Sequence, residues 1–312
     1  MLLPKNERRE VKQFAKKKLW IYGCPFSGKS TLADQFPDPL FLSTDGNVNN
    51  ITAPFMPIKN TVTTEGRLTK TTLAWATLKD VLLELEKKDN TFKTIVIDLV
   101  EDTYEHCRAW CYNQMGIEHE SDNSFKAWDF VRKEYLDTMK RFMNLDYENI
   151  ILISHEDTSK DITKKSGDKI TSIRPNITEK ISLKLAGMVD IVARIVVDEG
   201  KRTISFKSDN VVFGGGRLKL NATEIPLDYN ALMNVYENST EVVTNKREVK
   251  PTPQPTEEPT EVVEETTQQI VEQQNVEYVE EQTVEPVVEE PTVEEPAVEE
   301  QPRRRRKINL DQ

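Results

Sequence analysis

The segment WIYGCPFSGKSTLADQF, residues 20–36, decides the fold of this chain. An apolar run ends at Gly23, and residues 23–30 fit the pattern G-x-x-x-x-G-K-[ST] at every fixed position. The main-chain N–H groups of such a loop point inward around a polyphosphate. Glycine is needed where the chain turns tightly or the phosphate comes close. The segment therefore predicts a strand, a phosphate-binding loop and a helix, in that order.

The loop residues have separate predicted tasks in holding a nucleotide. The helix that begins near Lys29 adds the positive end of its dipole, and the Lys29 ammonium can lie between the β- and γ-phosphates. The Ser30 hydroxyl can bind Mg²⁺, and Thr31 is a weaker candidate near the α-phosphate. ATP and Mg²⁺ are the predicted cofactors. The predicted binding residues are Gly23, Cys24, Pro25, Phe26, Ser27, Gly28, Lys29, Ser30 and Thr31.

A second carboxylate-bearing segment, TIVIDLVED at 94–102, completes the predicted metal site. Four apolar or Thr positions lead to Asp98, as in a buried strand that ends in an acid. Asp98 would then hold Mg²⁺ through water, beside Ser30. The alternative is that Asp98 caps the helix that follows.

Hydrolysis also needs a group that orients the attacking water, and two acids compete for this role. Asp45 follows a second predicted strand in FLSTDGN, and it could instead serve only as a turn residue. Glu101 follows Asp98, and it could instead be an ordinary first-turn helix acid. His155 closes the strand IILISH and is a candidate for sensing the γ-phosphate, or an ordinary strand-end histidine. The candidate catalytic residues are Lys29, Asp45, Asp98, Glu101 and His155.

The pattern along the chain predicts an α/β fold with a mostly parallel sheet flanked by helices. Strands are predicted at 18–22, 39–43, 93–98, 149–154, 189–198 and 202–208, with short irregular strands in 51–70 and a hairpin at 162–173. Helices are predicted at 29–36, 72–88, 100–115, 125–143, 178–186 and 228–237.

Charge divides the chain into three parts. Of the 312 residues, with net charge −11, the segment 251–300 holds sixteen Glu and no Lys, Arg or Asp. The last twelve residues contribute +4, which leaves +1 for residues 1–250. We therefore predict a basic lead-in at 1–17, an ATPase domain at 18–240, and a disordered Pro/Glu/Val-rich tail at 241–312 that ends in a basic cluster.

Composition also limits the setting of the protein. The N-terminus has no apolar core after its charges, and the apolar runs are too short to cross a bilayer, so we expect no membrane association. Three cysteines give no disulfide framework, and a cytoplasmic location is expected. Cys107 and Cys111 share a helix face near His106, but buried small side chains explain them better than a metal site does.

Four segments together carry a family resemblance: LWIYGCPFSGKSTLADQF, PLFLSTDGN, TIVIDLVED and IILISHED. In this order and at these spacings they resemble phage-encoded RecA-like nucleotide-binding proteins, also described as AAA-family ATPases of phage recombination modules. The resemblance implies a RecA-like core, a homo-oligomer and action on single-stranded DNA. It places a catalytic carboxylate at Asp45, where RecA-like enzymes favour Glu, and a polar sensor at His155.

The resemblance also assigns two regions outside the loop. Residues 156–177 would take the place of a DNA-contacting loop, although 156–180 hold six Lys or Arg against five acids, which is a weak basic excess. Lys207 or Arg217 could reach the γ-phosphate of a neighbouring subunit.

Three functions are consistent with these patterns. The first is a Mg²⁺-dependent ATPase that acts on single-stranded DNA in phage recombination or replication. The second is a P-loop kinase of a small acceptor, although no arginine cluster follows the loop between residues 30 and 131. The third is a nucleotide-dependent interaction module whose acidic tail recruits a recombination or replication protein.

Overall fold

A computed structural model describes residue 6 and residues 16–163, 169–218 and 220–238 of the chain. The predicted tail at 241–312 lies outside these residues, as does the predicted lead-in except for residues 6, 16 and 17. In the described part of the chain, no helix combines the length and the apolarity needed to span a bilayer.

Both strands and helices occur throughout the described residues. The strands are β1 (Lys17–Gly23), β2 (Pro39–Ser43), β3 (Phe55–Pro57), β4 (Thr61–Glu65), β5 (Leu68–Thr72), β6 (Thr94–Asp98), β7 (Asn149–Asp157), β8 (Asp161–Thr163), β9 (Lys169–Thr171), β10 (Arg174–Pro175), β11 (Ile191–Asp198), β12 (Lys201–Ser205), β13 (Gly215–Gly216) and β14 (Glu224–Pro226). The helices are α1 (Lys29–Asp34), α2 (Ala74–Lys87), α3 (Val100–Met115), α4 (Ser124–Asn144), α5 (Glu179–Ala186) and α6 (Tyr229–Asn238), with a 3₁₀ turn at Glu120–Asn123.

The main sheet has the strand order β14-β12-β11-β1-β7-β6-β2-β3. All neighbours from β11 to β3 are parallel, whereas β12 and β14 run antiparallel to their neighbours. Because parallel strands end at the same edge of a sheet, the carboxyl ends of β1, β7, β6 and β2 meet there. In register terms Gly23 lies opposite His155, and Asp98 lies opposite both Ile153 and Ser43.

Helices cover both faces of the sheet. Successive side chains of β1 point to opposite faces and so enter two different cores. Trp20 and Tyr22 pack into a core with residues of α2, α3 and α4, such as Trp75 and Tyr135. Residues of α1 and α6 cover the other face, where Leu19, Ile21, Leu32, Leu232 and Tyr236 pack together. All five residues of β6 are buried. The predicted α/β fold, with a mostly parallel sheet between helices, is confirmed.

Two segments differ in detail from the sequence-based expectation. Residues 61–72 form an antiparallel hairpin, β4 and β5, whose side chains are almost all exposed, whereas the sequence predicts only short irregular strands in this region. The spacing of Trp128, Val131 and Tyr135 on α4 predicts one buried face. Val131 and Tyr135 are buried, but Trp128 is 43% exposed. Ala127 is buried in that turn instead, which moves the apolar stripe by one residue.

Candidate nucleotide-binding site

The glycine loop leaves β1 at the carboxyl edge of the sheet and leads directly into α1. Gly23 must be glycine for steric reasons, because a Cβ there would lie 2.7 Å from the main-chain oxygen of Ile195 on β11. Gly28 precedes α1 with φ 99°, a left-handed conformation that favours glycine. Its carbonyl accepts the first helical hydrogen bond, from the Leu32 N–H at 3.0 Å. The predicted strand, loop and helix are therefore all present.

Lys29 is held against its own loop. The side chain is only 6% exposed, and the ammonium donates to the carbonyls of Gly23 at 3.0 Å and Cys24 at 2.8 Å. Burial lowers the pKa of Lys29, and the nearby carboxylates of Asp98 and Glu101 oppose this shift. A buried ammonium bonded to neutral carbonyls favours an anionic partner.

The predicted metal-binding pair lies in direct contact. The Ser30 hydroxyl on α1 donates to Asp98 Oδ2 at the end of β6, at 2.7 Å. Asp98 is 9% exposed, and burial raises its pKa to about 6, although the bond from Ser30 acts in the opposite direction. A hydroxyl and a carboxylate are hard oxygen donors of the kind that Mg²⁺ prefers. These residues therefore fit the predicted metal.

One open cavity of about 450 Å³ contains most of the predicted site. Six loop and helix residues line it: Pro25, Phe26, Gly28, Lys29, Ser30 and Thr31. Asp45, Asp98 and His155 face the same cavity from the ends of β2, β6 and β7. The three other predicted binding residues, Gly23, Cys24 and Ser27, form the rest of the loop and are not among the cavity-lining residues.

Asp45 forms a turn and also lies at the cavity. Its carboxylate accepts from the main-chain N–H of Asn47 at 3.0 Å and from the Asn47 amide at 2.7 Å, as a turn-forming Asp does. The side chain is nevertheless exposed and lines the cavity that holds Lys29.

Glu101 and His155 form a pair. Glu101 Oε1 accepts from the main-chain N–H of His155 at 2.8 Å and from its ring Nδ1 at 3.0 Å. The second oxygen, Oε2, is buried with no hydrogen-bond partner among the described residues. Glu101, the second candidate for orienting the water, is therefore hydrogen-bonded to His155, the predicted γ-phosphate sensor.

Thr44 contributes to the site and was not predicted. Its main-chain N–H donates to the Asp98 carbonyl at 2.8 Å, and its hydroxyl accepts from the Leu99 N–H at 2.9 Å and donates to Asp102 at 2.8 Å. These bonds join the ends of β2 and β6 and fix Asp98 relative to Asp45. The only signal in the sequence was a polar residue directly before Asp45.

Arg202 on β12 was also missed. It lines the cavity and donates from Nη2 to the carbonyl of Phe26 at 3.4 Å. The two cations that the sequence suggested, Lys207 and Arg217, are not among the residues that line the cavity. Arg217 follows β13 and bonds to Gly187 and Asp190, and Lys207 pairs with Asp209 at 3.2 Å.

Other sequence-based candidates have ordinary surroundings. Cys107 and Cys111 are buried, with their Sγ atoms 3.9 Å apart. Within the described residues no group of three or more His, Cys, Asp or Glu side chains could hold a metal ion. The burial of both cysteines agrees with their interpretation as small buried side chains.

The fold and the loop define a P-loop domain of the kind that binds nucleoside triphosphates. A family model described as "AAA domain" matches residues 15–218, and the chain belongs to this family. No curated protein matches the chain. Among solved structures, the flagellar accessory protein FlaH from Methanocaldococcus jannaschii is similar at 10% identity and a TM-score of 0.26. The match covers 60% of this chain and 75% of that one.

Proposed function

We propose that this protein binds ATP with Mg²⁺ and hydrolyses it. The observation that carries the proposal is the contact of Ser30 with Asp98 beside the buried ammonium of Lys29, at the edge of the sheet where the glycine loop begins. Mg²⁺, once bound, supplies positive charge to the β- and γ-phosphate oxygens. Ser30 would ligate it directly and Asp98 through water.

The remaining residues have tasks that follow from their positions. Lys29 exchanges its two carbonyl acceptors for phosphate oxygens, which bear full charge and are stronger acceptors. Asp45 would accept a hydrogen bond from the attacking water, since its carboxylate is exposed to the cavity. Glu101 is less suited to that role because it is not among the residues that line the cavity, and its unpartnered oxygen, Oε2, is buried.

Phosphate release in steady state tests the proposal. We expect the wild type to hydrolyse ATP only with Mg²⁺. Asp45→Asn should lower kcat about a hundredfold or more, with ATP affinity retained. Glu101→Gln is the matched control, with a smaller loss. If Glu101→Gln stops turnover and Asp45→Asn does not, the assignment of the water-orienting acid is wrong.

The same assay separates the alternatives. Turnover that requires a small acceptor would indicate a kinase and contradict hydrolysis. Tight ATP binding without phosphate release, even when single-stranded DNA is present, would contradict hydrolysis and indicate a nucleotide-dependent interaction module.

We propose in addition that single-stranded DNA stimulates hydrolysis, as the family resemblance implies. His155 supports this proposal, because its ring bonds Glu101 while its carbonyl accepts from the Asn176 N–H at 2.9 Å. Asn176 follows the β8–β9 hairpin, so a ligand on that hairpin could alter the Glu101 bond. We expect ATPase activity to rise with single-stranded DNA and Lys160→Ala plus Lys169→Ala to reduce that rise. Equal activity with and without DNA would contradict this proposal.

We propose a homo-oligomer as a related feature. Lys207 and Arg217 do not line the cavity of their own chain, so a phosphate that either one contacts would belong to a neighbouring subunit. Sedimentation velocity with and without a non-hydrolysable ATP analogue tests this, and a monomer under both conditions would contradict it.

A further inference from the structure

Arg202 stands beside the glycine loop on the flank opposite the predicted metal site. In the sheet order β12-β11-β1-β7-β6, Arg202 lies on β12 and Asp98 on β6, with the loop strand β1 between them. Arg202 pairs with Val197 on β11, two residues beyond Ile195, which is the partner of Gly23. Arg202 therefore lies beyond the end of β1, beside the glycine loop.

The side chain lies over the end of the loop. A Cβ built on Gly28 would be 3.7 Å from Arg202 Cδ and 4.0 Å from its Nε. The guanidinium donates to the Phe26 carbonyl at 3.4 Å, and the residue is exposed to the cavity. Arg202 also shares a face of β12 with the buried Ile204, because residues two apart on a strand point to the same side.

The guanidinium is available for an anion. It has one long bond to a neutral carbonyl, and within the described residues it forms no ion pair. Arg194 on the adjacent strand contrasts with it, since that residue is paired to Glu156 at 2.9 Å. A planar guanidinium offers five donors in a fork that matches phosphate oxygens.

From this geometry we infer that Arg202 binds the phosphate chain of the nucleotide held by its own loop, on the side near the α- and β-phosphates. The inference rests on the proposed function. Ser30 and Asp98 mark the flank where Mg²⁺ would bridge the β- and γ-phosphates. Arg202 approaches from the other flank, so it contacts groups that ATP and ADP share.

Equilibrium binding of ATP and ADP to the full chain tests the inference. We expect Arg202→Gln to weaken both nucleotides by a similar factor of about ten, as the loss of a charge-assisted hydrogen bond implies. Arg202→Lys keeps the charge and should recover part of the affinity. Lys201→Ala is the matched control, since Lys201 is exposed on the other face of the same strand and should leave affinity unchanged.

The variants also separate a phosphate contact from support of the loop. Lys and Gln both lose the fork that reaches the Phe26 carbonyl, but only Lys keeps the charge, so recovery of affinity in Arg202→Lys indicates a phosphate contact. Wild-type affinity in Arg202→Gln would overturn the inference. Loss of ATP affinity alone would overturn it too, because that result places the contact at the γ-phosphate. An equal loss of nucleotide affinity in Lys201→Ala would show that the effect comes from general surface charge, and it would contradict the inference.

A parallel measurement on Lys29→Ala separates this inference from the proposed function. If Lys29→Ala loses nucleotide while Arg202→Gln does not, only the inference fails. If Lys29→Ala binds ATP as the wild type does, the proposed site itself is wrong. Thermal unfolding of each variant without nucleotide confirms that it is folded.

Discussion

The Ser30 hydroxyl donates a 2.7 Å hydrogen bond to Asp98 although the two residues are 68 positions apart in the chain. Ser30 opens the helix after the loop, and Asp98 ends a strand two places away from β1 in the sheet. The contact therefore depends on the strand order and on both strands ending at the same edge. It joins the loop that we propose binds phosphate to the carboxylate that we propose holds Mg²⁺.

The buried carboxyl of Asp98 should make the stability of the metal-free protein depend on pH. Burial raises its pKa from 3.8 to about 6, so the folded chain binds a proton more tightly than the unfolded chain does. The resulting penalty on the free energy of unfolding is absent below about pH 4 and grows as the pH rises to about 6. Above that pH it stays constant, at up to about 3 kcal/mol.

We expect Asp98→Asn to remove this penalty, and so to be more stable than the wild type at pH 8 in the presence of a chelator. Urea unfolding at several pH values from 4 to 8 measures the effect. Asp80→Asn, on the exposed surface of α2, is the control and should follow the wild type. If Asp98→Asn kept the wild-type pH profile, the burial of this carboxyl would be wrongly described.

Ser30 should govern the response of ATP binding to Mg²⁺. We expect Mg²⁺ to strengthen ATP binding to the wild type, and Ser30→Ala to lose that gain by about tenfold or more, because a metal ligand is removed. Thr31→Ala should keep the Mg²⁺ response. Titrations with and without Mg²⁺ measure both variants, and an intact response in Ser30→Ala would exclude the hydroxyl as a ligand.

Gly23 should tolerate no side chain. An added methyl would meet the Ile195 carbonyl at 2.7 Å, and this is main chain that cannot rotate away. We expect Gly23→Ala to lower the free energy of unfolding by about 1–3 kcal/mol through overpacking, and to weaken ATP binding as β1 and β11 separate.

Gly66→Ala provides the comparison for Gly23→Ala. Gly66 has φ 63° and open space around it, so alanine costs only backbone strain, about 1–2 kcal/mol. ATP affinity should be unchanged in that variant. Normal ATP binding by Gly23→Ala would contradict the close approach of β1 to β11.

The sequence predicted the centre of the site because its determinants are local. The spacing from Gly23 to Ser30 specifies the loop, and the buried strand before Asp98 specifies where that carboxylate ends. Parallel strands share a carboxyl edge, so Asp45, Asp98 and His155 could be expected near the loop without knowledge of any distance.

Arg202 could not be predicted because it depends on register. Arg202 faces the loop only because Val197 is its partner across the β11–β12 hairpin. A slip by one residue would turn Arg202 to the other face and bring Lys201 into its place. The burial of Ile204 on the Arg202 face opposes that slip, but the sequence alone does not place β12 beside the loop. The role of Thr44 could not be predicted for a similar reason, because its hydrogen bonds join β2 to β6.

The exposed parts were also hard to predict. The hairpin of β4 and β5 buries almost no side chain, so it leaves no alternation of apolar and polar residues to read. Trp128 has the spacing of a core residue on α4 but is 43% exposed. An apolar residue at the margin of a helical stripe can lie on either side of the buried boundary.

Calorimetric titration of ATP into the wild type and Lys29→Ala, both with Mg²⁺, tests the central claim most directly. We expect the wild type to bind about one ATP per chain, and Lys29→Ala to bind about a hundredfold more weakly, because the buried ammonium is the main cation of the loop. Lys59→Ala, which removes an exposed lysine, should match the wild type. Equal affinity in Lys29→Ala and the wild type would contradict the assignment of this loop as a nucleotide site.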